Sequence, residues 1–109
     1  MFLPVNSRVA VRDLLRGVII VSANDASVVL AEGIAGSEGA FVDIMNRRAQ
    51  ELGLSTAHFR NATGVDAENH RISSADLARL ARHIMLTYPQ YYRIYAEREF
   101  SYNNRTQPN

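Results

Sequence analysis

A chain of 109 residues with net charge +1, 47% apolar and 21% charged, has the balance of one ordinary small globular domain. It lacks the basic excess that nucleic acid or a membrane surface would draw on. The absence of cysteine excludes disulfides, thiolate nucleophiles and thiolate metal sites. All twelve basic residues are arginine, so no chemistry that needs a lysine amine can be completed within the chain.

Met1-Phe2-Leu3-Pro4 is apolar from its first residue, with no basic leader, and Thr106-Gln107-Pro108-Asn109 completes no element. Both ends read as cut, so the chain is expected to be a single fragment, 1–109, of a longer domain. Its longest apolar stretch, Val18 to Val21, is far too short to span a bilayer. Val11 to Val21 predicts a helix with Leu14, Leu15, Val18 and Ile19 on one face and Asp13 in its first turn. Gly17 inside it costs roughly 1 kcal/mol against alanine unless something packs close there.

Ser22-Ala23-Asn24-Asp25 then interrupts the apolar run, and a second helix is expected from Asp25 to about Ile34. Ser22 or Asn24 would cap it, Val28, Val29 and Ala31 would be buried, and Gly33 and Gly36 would end it. Ser37 opens a third helix whose core face is Phe41, Ile44, Met45, Ala49 and Leu52, and which Gly53 and Leu54 stop. Ser55 to Ile72 is polar and aperiodic, a long ordered loop of the kind that usually has a function.

Ser73-Ser74-Ala75-Asp76 outlines a capping box for a fourth helix, with Leu77, Leu80, Ala81 and Ile84 inward and a stop at Tyr88-Pro89. Pro89 can start a short further helix through Tyr95. Phe100 and Tyr102 alternate with polar residues ahead of Asn103-Asn104, a strand running into a turn. The fold class is therefore mainly α, with a short β fringe near the C-terminus.

His58, His70 and His83 show no metal-ligand spacing, glycine is wrongly placed for a phosphate loop, and neither metal nor cofactor is expected. Asn61-Ala62-Thr63 satisfies the glycosylation sequon, a pattern common by chance. Arg79 and Arg82 on the outer face of the fourth helix read as a solvated face rather than a DNA-recognition surface. Ser22-Ala23-Asn24 is different. A hydroxyl and a carboxamide two apart, at a break between helices, can share one cleft, where serine relays a proton while asparagine donates to a carbonyl and accepts from an ammonium. Taken alone, helix capping explains the pair as well.

The surroundings add to this. Val11-Arg12-Asp13-Leu14-Leu15-Arg16-Gly17-Val18-Ile19-Ile20, Ser22-Ala23-Asn24-Asp25-Ala26 and Ala31 resemble the second-motif region of D-alanyl-D-alanine carboxypeptidases. These are low-molecular-mass penicillin-binding proteins of a serine peptidase family that also resembles class A β-lactamases. The resemblance continues through Phe41-Val42-Asp43-Ile44-Met45-Asn46, Leu52-Gly53-Leu54 and His58-Phe59-Arg60-Asn61-Ala62-Thr63-Gly64-Val65, then Ser73-Ser74-Ala75-Asp76-Leu77-Ala78. It reaches Phe100-Ser101-Tyr102-Asn103 and Gln107-Pro108-Asn109 and so covers essentially the whole chain.

That family uses Ser-x-x-Lys, whose serine is acylated, then Ser-x-Asn, then Lys-Thr-Gly. Only the middle motif is present. The resemblance implies that Ser22 and Asn24 are catalytic. Ser22 would join the proton-transfer network to the leaving D-alanine, and Asn24 would hold the catalytic lysine and bind the substrate's amide carbonyl. Ala23 stands where glycine is more usual, and Ala10 where relatives tend to have a capping serine or threonine.

The implied fold is the helical part of the β-lactamase and penicillin-binding-protein transpeptidase-like domain, with the mixed helix-and-sheet part lying on both sides of it in sequence. The implied partners are the D-Ala-D-Ala peptidoglycan stem peptide and β-lactams, with no nucleic acid. The implied location is the periplasm, with the inner membrane reached only through a C-terminal anchor outside this fragment. An apolar face that the parent buries would be left to self-association or to cover by the rest of the protein. Two readings compete: a catalytically dead helical interaction module, and a β-lactamase relative, which would favour Ser-Asp-Asn over Ser-Ala-Asn.

Overall fold

The computed structural model describes residues 1–109. Five helices, α1 (Val11–Val21), α2 (Asn24–Ala35), α3 (Glu38–Glu51), α4 (Ser74–Thr87) and α5 (Pro89–Tyr92), are followed by a 3-10 turn (Arg93–Ala96) and strands β1 (Glu99–Tyr102) and β2 (Arg105–Pro108). The chain is thus mainly helical with a two-stranded fringe, as its patterning implies. No helix is long and apolar enough to cross a membrane.

Helix α1 is the hub: α2, the 3-10 turn and both strands pack on it, while α3 packs on α2 and α4 on α5. Its buried face is Leu14, Gly17 and Ile20, narrower than the expected one. Leu15 and Ile19 point instead to a shallow apolar cleft shared with Ile84, Tyr88, Tyr91 and Tyr95, because α1 is flanked on two sides rather than one. Gly17 has the close neighbour that its helical position calls for: the Met1 side chain lies where a Cβ would sit. Leu14, Ala23 and Ala26 form the buried cluster, ringed by Met1, Leu3, Val9, Val18, Val21 and Leu30.

The second helix departs from expectation at its start and on its buried face. Its N-cap is Ala23, with no side-chain cap bond, so neither Ser22 nor Asn24 fills that role. Ala26 and Ala31 are fully buried whereas Val29 is exposed, since small side chains let α2 approach α1 closely. Gly33 lies inside the helix, and only Gly36, at φ +88°, ends it.

Local chemistry governs α3 at both ends. Ser37 Oγ accepts the Ala40 N–H at 3.0 Å. At the other end Leu54 N–H reaches the Ala49 carbonyl (2.9 Å) and Gly53 N–H the Gln50 carbonyl (3.0 Å), a Schellman closure with Gly53 at φ +74°. Of the expected core face, Ala49 is fully buried and Ile44 is exposed, while Val42 takes a buried place.

The loop that follows is ordered by side chains. The Asn46 carboxamide donates to the Phe59 carbonyl (2.9 Å) and accepts its N–H (2.8 Å). His58 and Arg71 pair as an isolated antiparallel bridge.

Ser73 caps α4 by accepting the Asp76 N–H at 3.1 Å, but Asp76 does not reach back as a capping box would. Its carboxylate is 1% exposed and accepts the Thr56 N–H (2.9 Å) and the Thr56 hydroxyl, with Arg79 at 2.6 Å. Thr56 Oγ1 accepts the Ser73 N–H instead, at 3.0 Å. The expected inward row of α4 is also only partly inward: Leu77 is 53% exposed and Ala81 is exposed, because nothing in the chain covers that side. Leu80 alone reaches the α3 side, near Met45, Ala49 and Leu54.

The antiparallel hairpin runs Glu99↔Pro108 to Tyr102↔Arg105, around Asn103 and Asn104 at φ +49° and +61°. Two left-handed central residues define the mirror-image turn that suits the twist of a two-residue hairpin. Phe100 is 2% exposed beneath the Arg16 guanidinium, which lies 5.3 Å from its ring centroid and also binds Glu97 at 2.9 Å. This anchors the hairpin to α1.

Candidate functional site

The break between α1 and α2 is a single turn. Ser22 closes α1 in the left-handed conformation (φ 52°, ψ 43°), and its N–H returns to the Gly17 carbonyl. The Ala23 N–H converges on that same carbonyl at 3.1 Å. Left-handed backbone is costly for a residue with a Cβ, so this turn is held by its surroundings rather than by preference.

Alternation across the turn separates anchoring from presentation. Ala23, 6% exposed, is pressed into the core with Leu14 and Ala26, while Ser22 and Asn24 on either side of it are solvent-exposed. A larger residue at 23 would have to displace that core. The structure therefore brings the two expected site residues together on one hydrogen-bonded turn and leaves both side chains free of capping duty.

Asp25, which sequence reasoning took only as the start of a helix, carries the local electrostatics. Its carboxylate accepts the Ala26 N–H at 2.9 Å, the Leu3 N–H at 3.2 Å and the Met1 amino group at 3.3 Å. Burial alone would raise its pKa. The Leu3 and Ala26 N–H groups work against burial by favouring its charged form. An acidic residue in the first turn of a helix was the available signal.

Among the remaining titratable side chains, no group of three His, Asp or Glu gathers as a metal site would need. His70 Nδ1 accepts the Arg60 N–H at 2.8 Å, and His83 Nδ1 lies 3.3 Å from the Thr87 hydroxyl. Asn61 uses its side chain to close its own loop, donating to the Val65 carbonyl and accepting the Gly64 N–H, both at 2.8 Å.

This arrangement of helices recurs in solved penicillin-binding proteins. The structure superposes on that of penicillin-binding protein 6B from Escherichia coli with a TM-score of 0.96 at 45% identity, covering 100% of this chain and 34% of that one. It also matches penicillin-binding protein D2 from Listeria monocytogenes, solved in a cefotaxime-bound form, with a TM-score of 0.79 at 26% identity over 95% of this chain and 43% of that one. In sequence it is 44% identical over its full 109 residues to the D-alanyl-D-alanine carboxypeptidase DacA of Haemophilus influenzae, of which it spans 28%.

The model of the D-alanyl-D-alanine carboxypeptidase family matches residues 1–109, and the chain belongs to that family. It spans only 28% to 43% of the length of these relatives.

Proposed function

We propose that this chain is the Ser-x-Asn-bearing helical subdomain of a serine-type D-Ala-D-Ala carboxypeptidase. In the whole protein a serine outside these residues attacks the carbonyl between the two D-alanines. The terminal D-alanine leaves with a proton, and water then hydrolyses the acyl-enzyme. Ser22 relays the proton toward the leaving amine. Asn24 donates from its carboxamide N–H to the substrate's amide carbonyl while its oxygen accepts from a lysine ammonium supplied by another part of the protein. Peptidoglycan stem peptides are the substrates, and β-lactams acylate the same serine. The protein works in the periplasm, attached to the inner membrane through a segment outside these residues.

One observation carries this reading: Ser22 and Asn24 are solvent-exposed on either side of the buried Ala23, and neither caps the helix that follows. Residues with no local structural task, fixed on a strained turn, are placed to meet a ligand. The listerial relative's cefotaxime-bound form supports the β-lactam part.

The test is Ser22→Ala and Asn24→Ala in the full-length protein, read as D-alanine release and as the rate of labelling by a fluorescent penicillin. Each is expected to slow acylation by roughly 10²- to 10⁴-fold. Unchanged rates in both variants would overturn the assignment. The isolated 109-residue chain is expected to take up no covalent label, because the acylated serine lies elsewhere, and a stable adduct on Ser22 would refute that.

A further inference from the structure

Helix α2 begins immediately after α1, and its first-turn N–H groups need partners. Ser22 and Asn24, of residue types that cap helices well, flank the N-cap position, which Ala23 fills without a side-chain bond. A side chain folded back onto its own helix cannot also hold a substrate. The structure resolves this conflict by giving the task to another residue: Asp25 Oδ1 accepts the Ala26 N–H at 2.9 Å.

The same carboxylate reaches outward. Its other oxygen, Oδ2, accepts the Leu3 N–H at 3.2 Å and so fastens the segment before α1 to the start of α2. That segment carries Met1, whose side chain fills the notch at Gly17. The Gly17 carbonyl in turn receives the Ser22 and Ala23 N–H groups that hold the left-handed turn. One carboxylate thus connects the floor of the turn, the segment packed beneath it and the first turn of the next helix.

We propose that Asp25 is a positioning residue for Ser22 and Asn24: it occupies the Ala26 N–H, the first-turn donor beside those side chains, and it clamps the Met1–Leu3 segment that supports their turn. This rests on the reading of Ser22 and Asn24 given above. Asp25 does not touch the substrate. Without its carboxylate, Asn24 or Ser22 is free to swing back onto α2, and the reactive geometry is lost while the helices remain.

The experiment uses the full-length protein with the variants Asp25→Ala, Asp25→Asn, Ser22→Ala and the double variant Asp25→Ala/Ser22→Ala. The acylation rate constant by fluorescent penicillin is measured per labelled site, so unfolded molecules do not count, alongside the thermal midpoint. Asp25→Ala is expected to slow acylation by roughly ten- to a hundredfold, the cost of displacing a catalytic group by about an ångström. Asp25→Asn should fall between it and the unsubstituted protein, since a carboxamide oxygen cannot hold both N–H groups as two carboxylate oxygens do.

In the Ser22→Ala background the Asp25→Ala effect should shrink, because the group being positioned is gone. A purely structural role predicts a lower midpoint with an unchanged rate per labelled site, and that result overturns the proposal. If Asp25→Ala does not fold, an unchanged rate in Asp25→Asn overturns it. Silent Ser22→Ala and Asn24→Ala variants would instead overturn the underlying assignment, a distinct failure from a silent Asp25→Ala beside slow Ser22 and Asn24 variants.

Discussion

Asp76 shows how much one buried side chain can settle. Its carboxylate gathers the Thr56 hydroxyl, the Thr56 N–H and the Arg79 guanidinium, and these, in that order of weight, outweigh burial and hold its pKa below the ordinary 3.8. A group whose pKa is depressed by folding binds its proton more readily when unfolded. Its stabilising contribution is therefore complete above the unfolded value and is lost as pH falls through the folded one. Below about pH 4 the unsubstituted chain should lose stability, and Asp76→Asn should flatten that acid limb while lowering stability at neutral pH. Acid titrations followed by circular dichroism check both, and an acid limb of unchanged steepness would show that other carboxylates govern it. Gly17 makes the complementary steric case. The Met1 side chain occupies the Cβ position, but its thioether end is flexible and can move aside, so Gly17→Ala should lower the denaturation midpoint only slightly, by less than about 1 kcal/mol.

At the level of elements, those that could be read from the chain are those whose ends are made by their own side chains. Helix α3 starts at the Ser37 cap and stops at the Gly53 closure because both devices are local, and each can be tested alone. Ser37→Ala should cost about 1 kcal/mol. Gly53→Ala should cost about 1–2 kcal/mol for forcing a Cβ into left-handed backbone, and equal denaturant midpoints for it and the unsubstituted chain would show that the turn is not specified there. The Asn103-Asn104 turn is legible for the same reason, but the returning strand Arg105–Pro108 is not: Thr106 to Asn109 reads as completing no element, and only its pairing with Glu99–Tyr102 makes it a strand. What could not be read depended on partners distant in sequence. The apolar stripe of α4 marks a face but not whether anything lies against it, and Leu77 and Ala81 prove uncovered. The capping box at Ser73 was half right, because Thr56, seventeen residues away, supplies the reciprocal contact. At the site, Ser-x-Asn is a weak pattern by itself and was singled out through resemblance. Ser22 and Asn24 do not cap α2 because the left-handed turn at Ser22 puts Ala23 at the N-cap position, which no spacing rule detects.

Taken as a whole molecule, the chain buries little of itself. Only 11 of its 109 residues are buried, a sparse core for a domain of this length. Ile34, Leu77, Met85, Leu86 and Tyr88 are exposed, and Leu15, Ile19, Ile84, Tyr91 and Tyr95 line an open apolar cleft. Uncovered apolar area on this scale marks an interaction surface or an aggregation liability. The chain covers only 28% to 43% of the relatives named above, which supports the proposal that the rest of the catalytic domain covers these faces. The isolated 109-residue chain is therefore expected to associate with itself at micromolar concentration and to bind a hydrophobic dye. The full-length protein at equal molarity should bind far less dye per molecule. Sedimentation velocity and dye fluorescence read the two effects independently. Two sets of substitutions separate exposed α4 side chains from the cleft: Leu77→Ser with Leu86→Ser on α4, and Ile19→Ser with Tyr91→Ser at the cleft. Whichever set returns the chain to a monomer identifies the face responsible. A chain that stays monomeric and dye-free without either set would mean that this small core suffices, and that the subdomain needs the rest of the protein for chemistry but not for solubility.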